Sequence, residues 1–236
     1  MVLIELERVG KSYNRGSRVA LDDVSMEIHA GEMVVVWGER RSGRSTLLRI
    51  AAGIEAPDTG TVRFDGDCLT ARHRRLLGNG IGYCRLEFRR NRGPTVLDQL
   101  IVGQLGRRVP QATALTKAWD ALERVQARGC ADLEAIDLKP DETVRVAIAR
   151  TLTCKPRMLI IDEPTLGVDV VKRDAILKLL RSLADDGIAV LSSTGDGRGF
   201  LGADRVLALE EGKLDGDLTP RLAQVTDLNR RRQAQR

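Results

Sequence analysis

The stretch Gly38-Glu39-Arg40-Arg41-Ser42-Gly43-Arg44-Ser45-Thr46 is where residue types and spacing in this 236-residue chain first point to chemistry. Glycines at 38 and 43, a cation beside the second and two hydroxyls after it suit a loop that opens a helix. In such a loop the backbone N–H groups and the helix N-terminus converge on an anion. The spacing is G-x4-G-x-[ST], with Arg44 where the strict phosphate-loop pattern has lysine. With either cation allowed, such a string arises by chance in roughly one chain in a hundred. An ordinary glycine-rich turn with surface arginines is the competing reading, so a second element is needed.

That element is Ile160-Ile161-Asp162-Glu163-Pro164-Thr165. An apolar strand ending in two acids places Asp162 at the carboxyl edge of a sheet, beside the loop. There it is suited to hold Mg²⁺ on nucleotide phosphates. Glu163 then stands where a water-activating base belongs. The plainer alternative makes Asp162 a helix cap and Glu163 the partner of one of the many arginines.

Both elements need a sheet to carry them. Leu3–Leu6, Val24–Ile28 and Met33–Trp37 read as strands, the last feeding the glycine loop. Ser45–Ala52 continues as a helix, and Pro57-Asp58-Thr59-Gly60 is turn chemistry before a strand at Thr61–Phe64. Residues 95 to 152 read mostly helical, with Leu115, Ala118, Trp119 and Leu122 at helical spacing. Met158–Ile161 is a buried-type strand. Val171, Ala175, Ile176, Leu179, Leu180 and Leu183 mark a helix that Gly187 ends before the strand Ile188–Leu191. Strand, helix, strand in that order implies a parallel sheet.

The chain resembles the ATP-binding subunits of ABC transporters over nearly its whole length. Tyr13 with Val19-Ala20-Leu21-Asp22-Asp23-Val24-Ser25 resembles the segment whose aromatic ring stacks on adenine, and Ile81-Gly82-Tyr83 the run into the family's Gln loop. Arg145–Arg150 resembles the helix after the signature motif. Asp162–Thr165 through Asp169 resembles the Walker B and D-loop block, and Ala203–Val206 the closing strand. The run Val19–Ile28 and Ala52–Pro57 look most like the small subunits of lipoprotein-release and cell-division complexes.

The resemblance implies an α/β fold: a P-loop NTPase core with a mostly parallel sheet, an N-terminal antiparallel β subdomain and an inserted helical subdomain at about 87–150. The chain would be one domain, with 225–236 a flexible basic tail. It also implies ATP held by Tyr13, Gly38, Arg41, Ser42, Gly43, Arg44, Ser45, Thr46 and Asp162, with Mg²⁺ at Ser45 and Asp162 and Glu163 as base. The expected partners are an integral membrane permease and a second ATP-binding subunit, most simply a different chain, and no nucleic acid. The expected place is cytoplasmic, peripheral on the inner face of the cell membrane through that partner.

Departures from the family pattern fall on functional positions. Arg44 replaces the loop lysine, Arg41 a glycine where backbone approaches phosphate, and Leu86 the glutamine that senses γ-phosphate. Leu138-Lys139-Pro140-Asp141-Glu142 stands for Leu-Ser-Gly-Gly-Gln, and Gly195 for the switch histidine. A guanidinium fork cannot sit where an ammonium did. Pro140 removes an N–H, and the two acids add negative charge near an anion. The expectation is very slow or absent hydrolysis by the chain alone or as a homodimer, and a degenerate role in an asymmetric pair. Retained Asp162 and Glu163 argue for hydrolysis within some complex.

Composition narrows the alternatives. Hydrophobic residues at 42% and charged residues at 30% fit a globular domain. A net charge of +5, mostly from arginine, names no partner, and 3% aromatics supply little surface for stacking bases. Cys68, Cys84, Cys130 and Cys154 have no metal-type spacing and, with no secretory pattern at the start, suit a reducing compartment. His29 and His73 have no metal-ligand company. Arg72, His73, Arg74 and Arg75, and Arg85, Arg89, Arg90 and Arg92, read as solvated basic loops; the resemblance implies that the second set borders the groove that receives a permease helix. The competing functions are a scaffold that binds no ATP and a soluble ABC protein acting on ribosomes or DNA, which would usually carry tandem domains.

Overall fold

Alternation of apolar and polar residues builds the first sheet. Strand β1 (Val2–Tyr13) pairs antiparallel with β2 (Arg18–His29) and with β4 (Thr59–Phe64), and β5 (Asp67–Cys68) adds to β4, giving the order β2-β1-β4-β5. Ile4, Leu6 and Val9 face inward, and a register shift between Leu6 and Val9 accompanies Arg8 at φ 50°. Such a bulge turns Val9 back to the core that strict alternation would deny it. The computed structural model behind this account describes residues 1–14, 16–69, 80–86 and 93–218. The arginine and histidine cluster at 72–75, Arg89, Arg90, Arg92, the first residues of the expected helical subdomain and the basic tail lie outside the described residues.

The second sheet runs β10-β9-β3-β8-β7-β6. Its strands are β3 (Met33–Trp37), β6 (Ile81–Cys84), β7 (Met158–Ile161), β8 (Ala189–Thr194), β9 (Arg205–Glu210) and β10 (Lys213–Asp217). All neighbours are parallel except β10, which returns antiparallel along β9. The mostly parallel core and the antiparallel N-terminal sheet are therefore both present.

Parallel strands covered on both faces need apolar side chains on both, and β3 shows why its run is unbroken. Met33 and Val35 join one core with Leu159, Ile161 and Val190; Val34 and Val36 join the other with Met158, Ile160 and Leu191. The second core is closed by α1 (Arg44–Ala51) and the antiparallel sheet, through Leu47, Leu48, Ile50, Leu6 and Ile28. The first is closed by α4 (Pro140–Leu152) and α5 (Val170–Asp185), with α2 (Val96–Leu105) and α3 (Gln111–Arg124) packed outside.

Helix ends follow local chemistry. Thr95 and Asp98 cap α2 reciprocally, each side chain taking the other's backbone N–H at 3.2 Å. Asp169 caps α5 by accepting Val171 N–H at 3.1 Å, and Gly187 at φ 93° ends it. Two faces differ from the sequence reading. In α3 the buried stripe is Ala114, Ala118, Ala121 and Leu122, while Leu115 is exposed. In α5 Val171 and Ala175 face solvent and Leu177 turns inward. The close approach of α3 to its neighbours selects alanine, which a search for large apolar residues passes over.

Candidate functional site

Three chain segments meet at the carboxyl edge of the parallel sheet. The loop 38–43 leaves β3, the acids 162 and 163 leave β7, and 193–195 end β8, with Trp37 opposite Thr194 and Ile161 opposite Ser192. The loop is tight. Gly38 N–H donates to Thr194 O at 3.3 Å, and a Cβ at 38 would fall on the Leu209 carbonyl and the Ser42 hydroxyl. Gly43 has φ 109°, and its Cβ would collide with the Ala20 carbonyl. Arg41 adopts φ 71° despite its Cβ, at a cost of roughly 1–2 kcal/mol. The chain thus keeps a glycine-type backbone there with an exposed arginine on it.

Helix α1 starts at Arg44, and no side chain caps it. Its leading N–H groups face the loop, and the aligned peptide dipoles make that end attractive to anions. Two buried polar groups beside it are unsatisfied: Ser42 Oγ and Arg44 Nη1 have no hydrogen-bond partner, although Ser42 is 6% and Arg44 7% exposed. Buried donors are normally paired. Both residues line the cleft beside the helix start, so the residue types fit the triphosphate that the loop pattern implies. Ser45, next on the helix, is exposed toward the same cleft, which has a volume of about 560 Å³.

Arg44 Nη2 donates to Glu163 Oε1 at 2.6 Å, joining the loop cation to the candidate base. Glu163 itself sits at φ 46°, and its N–H donates to Ser193 Oγ at 3.0 Å. The same hydroxyl donates to the Asp162 carboxylate. Ser193 therefore fixes both acids, a role its place at the end of an apolar strand did not announce. Asp162 takes Ser193 and not Ser45. Among the described residues no group of three His, Cys, Asp or Glu side chains could hold a metal. A divalent cation would need phosphate oxygens besides Ser45 and Asp162. Tyr83, on the neighbouring strand, has its hydroxyl pKa raised by burial first and by the Asp162 charge second.

Tyr13 lines the other end of the cleft. Its hydroxyl donates to Glu55 at 2.6 Å and lies 3.3 Å from Thr46 Oγ1, while Arg49 donates to that same Tyr13 oxygen at 3.2 Å and to Glu55 at 3.0 Å. Lys11 Nζ stands 5.9 Å from the ring centroid. Arg49 and Glu55 went unmarked in the sequence, although Arg49 is one helical turn beyond Thr46. They hold the ring by its hydroxyl at the mouth of the cleft.

The divergent positions are equally defined. Leu86 packs against the larger apolar core, so it offers no polar atom to a ligand. Pro140 is the first residue of α4, Glu142 accepts Lys139 N–H at 2.9 Å, and Asp141 meets Lys172 Nζ at 2.7 Å. The start of α4 is thus satisfied by its own acids. Gly195 lies against the Arg44 guanidinium, a Cβ there falling 3.0 Å from Nη1.

Residues 21–166 match the ABC transporter family. A sulfate/thiosulfate import ATP-binding protein of Shewanella oneidensis is 31% identical over 223 residues, covering 92% of this chain. The chain spans only 62% of that relative's length. A phosphonates import ATP-binding protein of Thiobacillus denitrificans is 32% identical over 232 residues, covering 93% of this chain and 88% of its own. Among solved structures, cbiO1 of Clostridium perfringens, part of the ABC transporter complex cbiONQ, superposes with a TM-score of 0.82 at 27% identity. That superposition covers 92% of this chain and 88% of the other.

Proposed function

The chain belongs to the ABC transporter family, and on that premise we propose that it is the ATP-binding subunit of a membrane transport complex, binding Mg²⁺-ATP and passing the binding energy to a separate permease. The observation that carries this is the pair of buried, unpartnered groups, Ser42 Oγ and Arg44 Nη1, beside the uncapped start of α1. The loop 38–46 and Arg44 hold the phosphates, and the Tyr13 ring takes the base. Ser45 and Asp162 hold the cation, which neutralises phosphate charge when bound. Glu163 orients water. Among the described residues no helix is long and apolar enough to cross a membrane. The reading puts the chain at the inner face through its permease.

The chain is the degenerate member of an asymmetric pair with a second, different ATP-binding subunit. Support comes from the start of α4, where Pro140, Asp141 and Glu142 stand at the place that would face a partner's γ-phosphate. Leu166, Val170 and Val171 are exposed beside the Walker B block, apolar surface of the kind subunit contacts cover. The named relatives carry different cargoes, so this reading assigns none. The domain division also belongs here: α2 to α4 form the helical subdomain on an otherwise single cassette.

The test is equilibrium binding of a fluorescent ATP analogue to the purified full chain, with and without Mg²⁺. Saturable binding that unlabelled ATP displaces supports the reading. No binding at millimolar nucleotide leaves a silent scaffold.

A further inference from the structure

Arg44 has one guanidinium arm engaged and one idle. Nη2 donates to Glu163 Oε1 at 2.6 Å, whereas Nη1 has no partner in a side chain only 8% exposed. A buried donor left unpaired is unfavourable, so the arm is held there by something outside its own hydrogen bonding. What gives it room is Gly195. A Cβ at that position would lie 3.0 Å from Nη1 and 3.5 Å from Nη2. Gly195 is not among the glycines with positive φ, so its backbone does not need glycine. A methyl there would press on the guanidinium, which would have to give by a few tenths of an ångström.

We infer that Arg44 and Gly195 form one device for reading the terminal phosphate. The missing Cβ at 195 lets the guanidinium lie flat between the end of β8 and Glu163. Nη1 then donates to the γ-phosphate of ATP while Nη2 keeps the Glu163 carboxylate in place. One planar fork serves both ends because its N–H donors are fixed at the angle that meets two oxygens from different groups. An ammonium at position 44 would have no such second arm. Arg44 is thus a phosphate ligand that is also the positioning residue for Glu163, and ADP, which brings no terminal phosphate to Nη1, binds more weakly. This rests on the loop being the triphosphate site.

The experiment is a double-mutant cycle on the full chain: Gly195→Ala, Arg44→Lys and the two combined, with Kd for ATP and for ADP by calorimetry and thermal unfolding to check the fold. Gly195→Ala should weaken ATP about tenfold, the fold-change for losing one charge-assisted hydrogen bond, and leave ADP nearly unchanged. In the Arg44→Lys background the same glycine change should do nothing, because the thinner side chain leaves space. Gly195→Val should exceed Gly195→Ala in the arginine background only. Equal losses in both backgrounds, or equal losses for ATP and ADP, overturn the inference. Wild type that binds neither nucleotide overturns it together with the proposed function, whereas wild-type binding with additive losses sinks the pairing alone.

Discussion

Ser193 accepts the backbone N–H of Glu163 at 3.0 Å, and through the same oxygen it reaches the Asp162 carboxylate. Glu163 has φ 46°, a conformation that costs a residue with a Cβ and persists only when neighbours hold it. Ser193 is 1% exposed, so water does not replace it. Ser193→Ala should therefore destabilise the protein by about 1–3 kcal/mol, the range for orphaning buried partners. Urea denaturation measures this. A change within the scatter of neutral surface substitutions would show that the bridge holds nothing.

Cys84 is the most deeply buried thiol, hydrogen-bonded to Thr151 Oγ1 at 3.2 Å, and burial pushes its pKa up to about 12. It stays a neutral thiol at any pH where the fold is studied, and only the thiolate reacts. At pH 8.5 a thiol reagent should label exposed Cys68 and leave Cys84 untouched until denaturant is added. Because the folded pKa is raised, this group's contribution to stability is complete below the unfolded thiol value and is lost as pH rises above it. Cys84→Ser should flatten that alkaline decline. Rapid native labelling at Cys84 would contradict the burial.

Parts of this arrangement could be read from residues alone, and the reason is locality. β3 was legible to the residue, since five apolar residues bounded by Glu32 and Gly38 leave no other register. The loop and the two acids were legible because each is contiguous. The Arg44–Glu163 contact spans 119 positions, and no local pattern announces it. Gly195 looked like the loss of a side chain, whereas its neighbour in space is the arginine that fills the room. The buried face of α3 was read only in part: Ala118 and Leu122 are buried as expected, but the rest of the stripe is Ala114 and Ala121 rather than the larger Leu115.

Lys11 donates to Asp58 Oδ1 at 2.8 Å, and Ser12 N–H to Oδ2 at 2.8 Å, tying the end of β1 to the turn before β4 just behind Tyr13. The Lys11 hydrogen bond first, and the Ser12 amide second, hold the Asp58 carboxyl below its ordinary value. A lowered carboxylate pKa gives stability that is complete above the unfolded value and disappears as pH falls through the folded one. The melting temperatures of wild type and Asp58→Asn should differ most at neutral pH, begin to approach each other as pH falls below about 3.9, the unfolded value, and converge only below the folded value. A gap that stays constant as pH falls from neutral to about 2 would mean the aspartate acts by shape rather than charge.

The two acids at the start of α4 are not equivalent, and that inequality predicts which one opposes pairing. Asp141 has an ammonium 2.7 Å away in Lys172, whose own pKa is raised chiefly by that hydrogen bond. Glu142 spends its carboxylate on the Lys139 backbone N–H at 2.9 Å, with Lys139 Nζ only at 3.8 Å and largely exposed. A backbone amide removes no net charge, and an exposed lysine is screened by salt. Glu142 therefore presents the stronger field to a triphosphate brought by a second subunit, at a helix end that would otherwise favour an anion. Glu142→Gln should promote self-association with a non-hydrolysable ATP analogue more than Asp141→Asn does, and the difference should shrink in high salt. Sedimentation velocity at matched protein concentrations distinguishes them. If Asp141→Asn has the larger effect, Lys172 does not neutralise its partner, and the repulsion must be assigned to Asp141 instead.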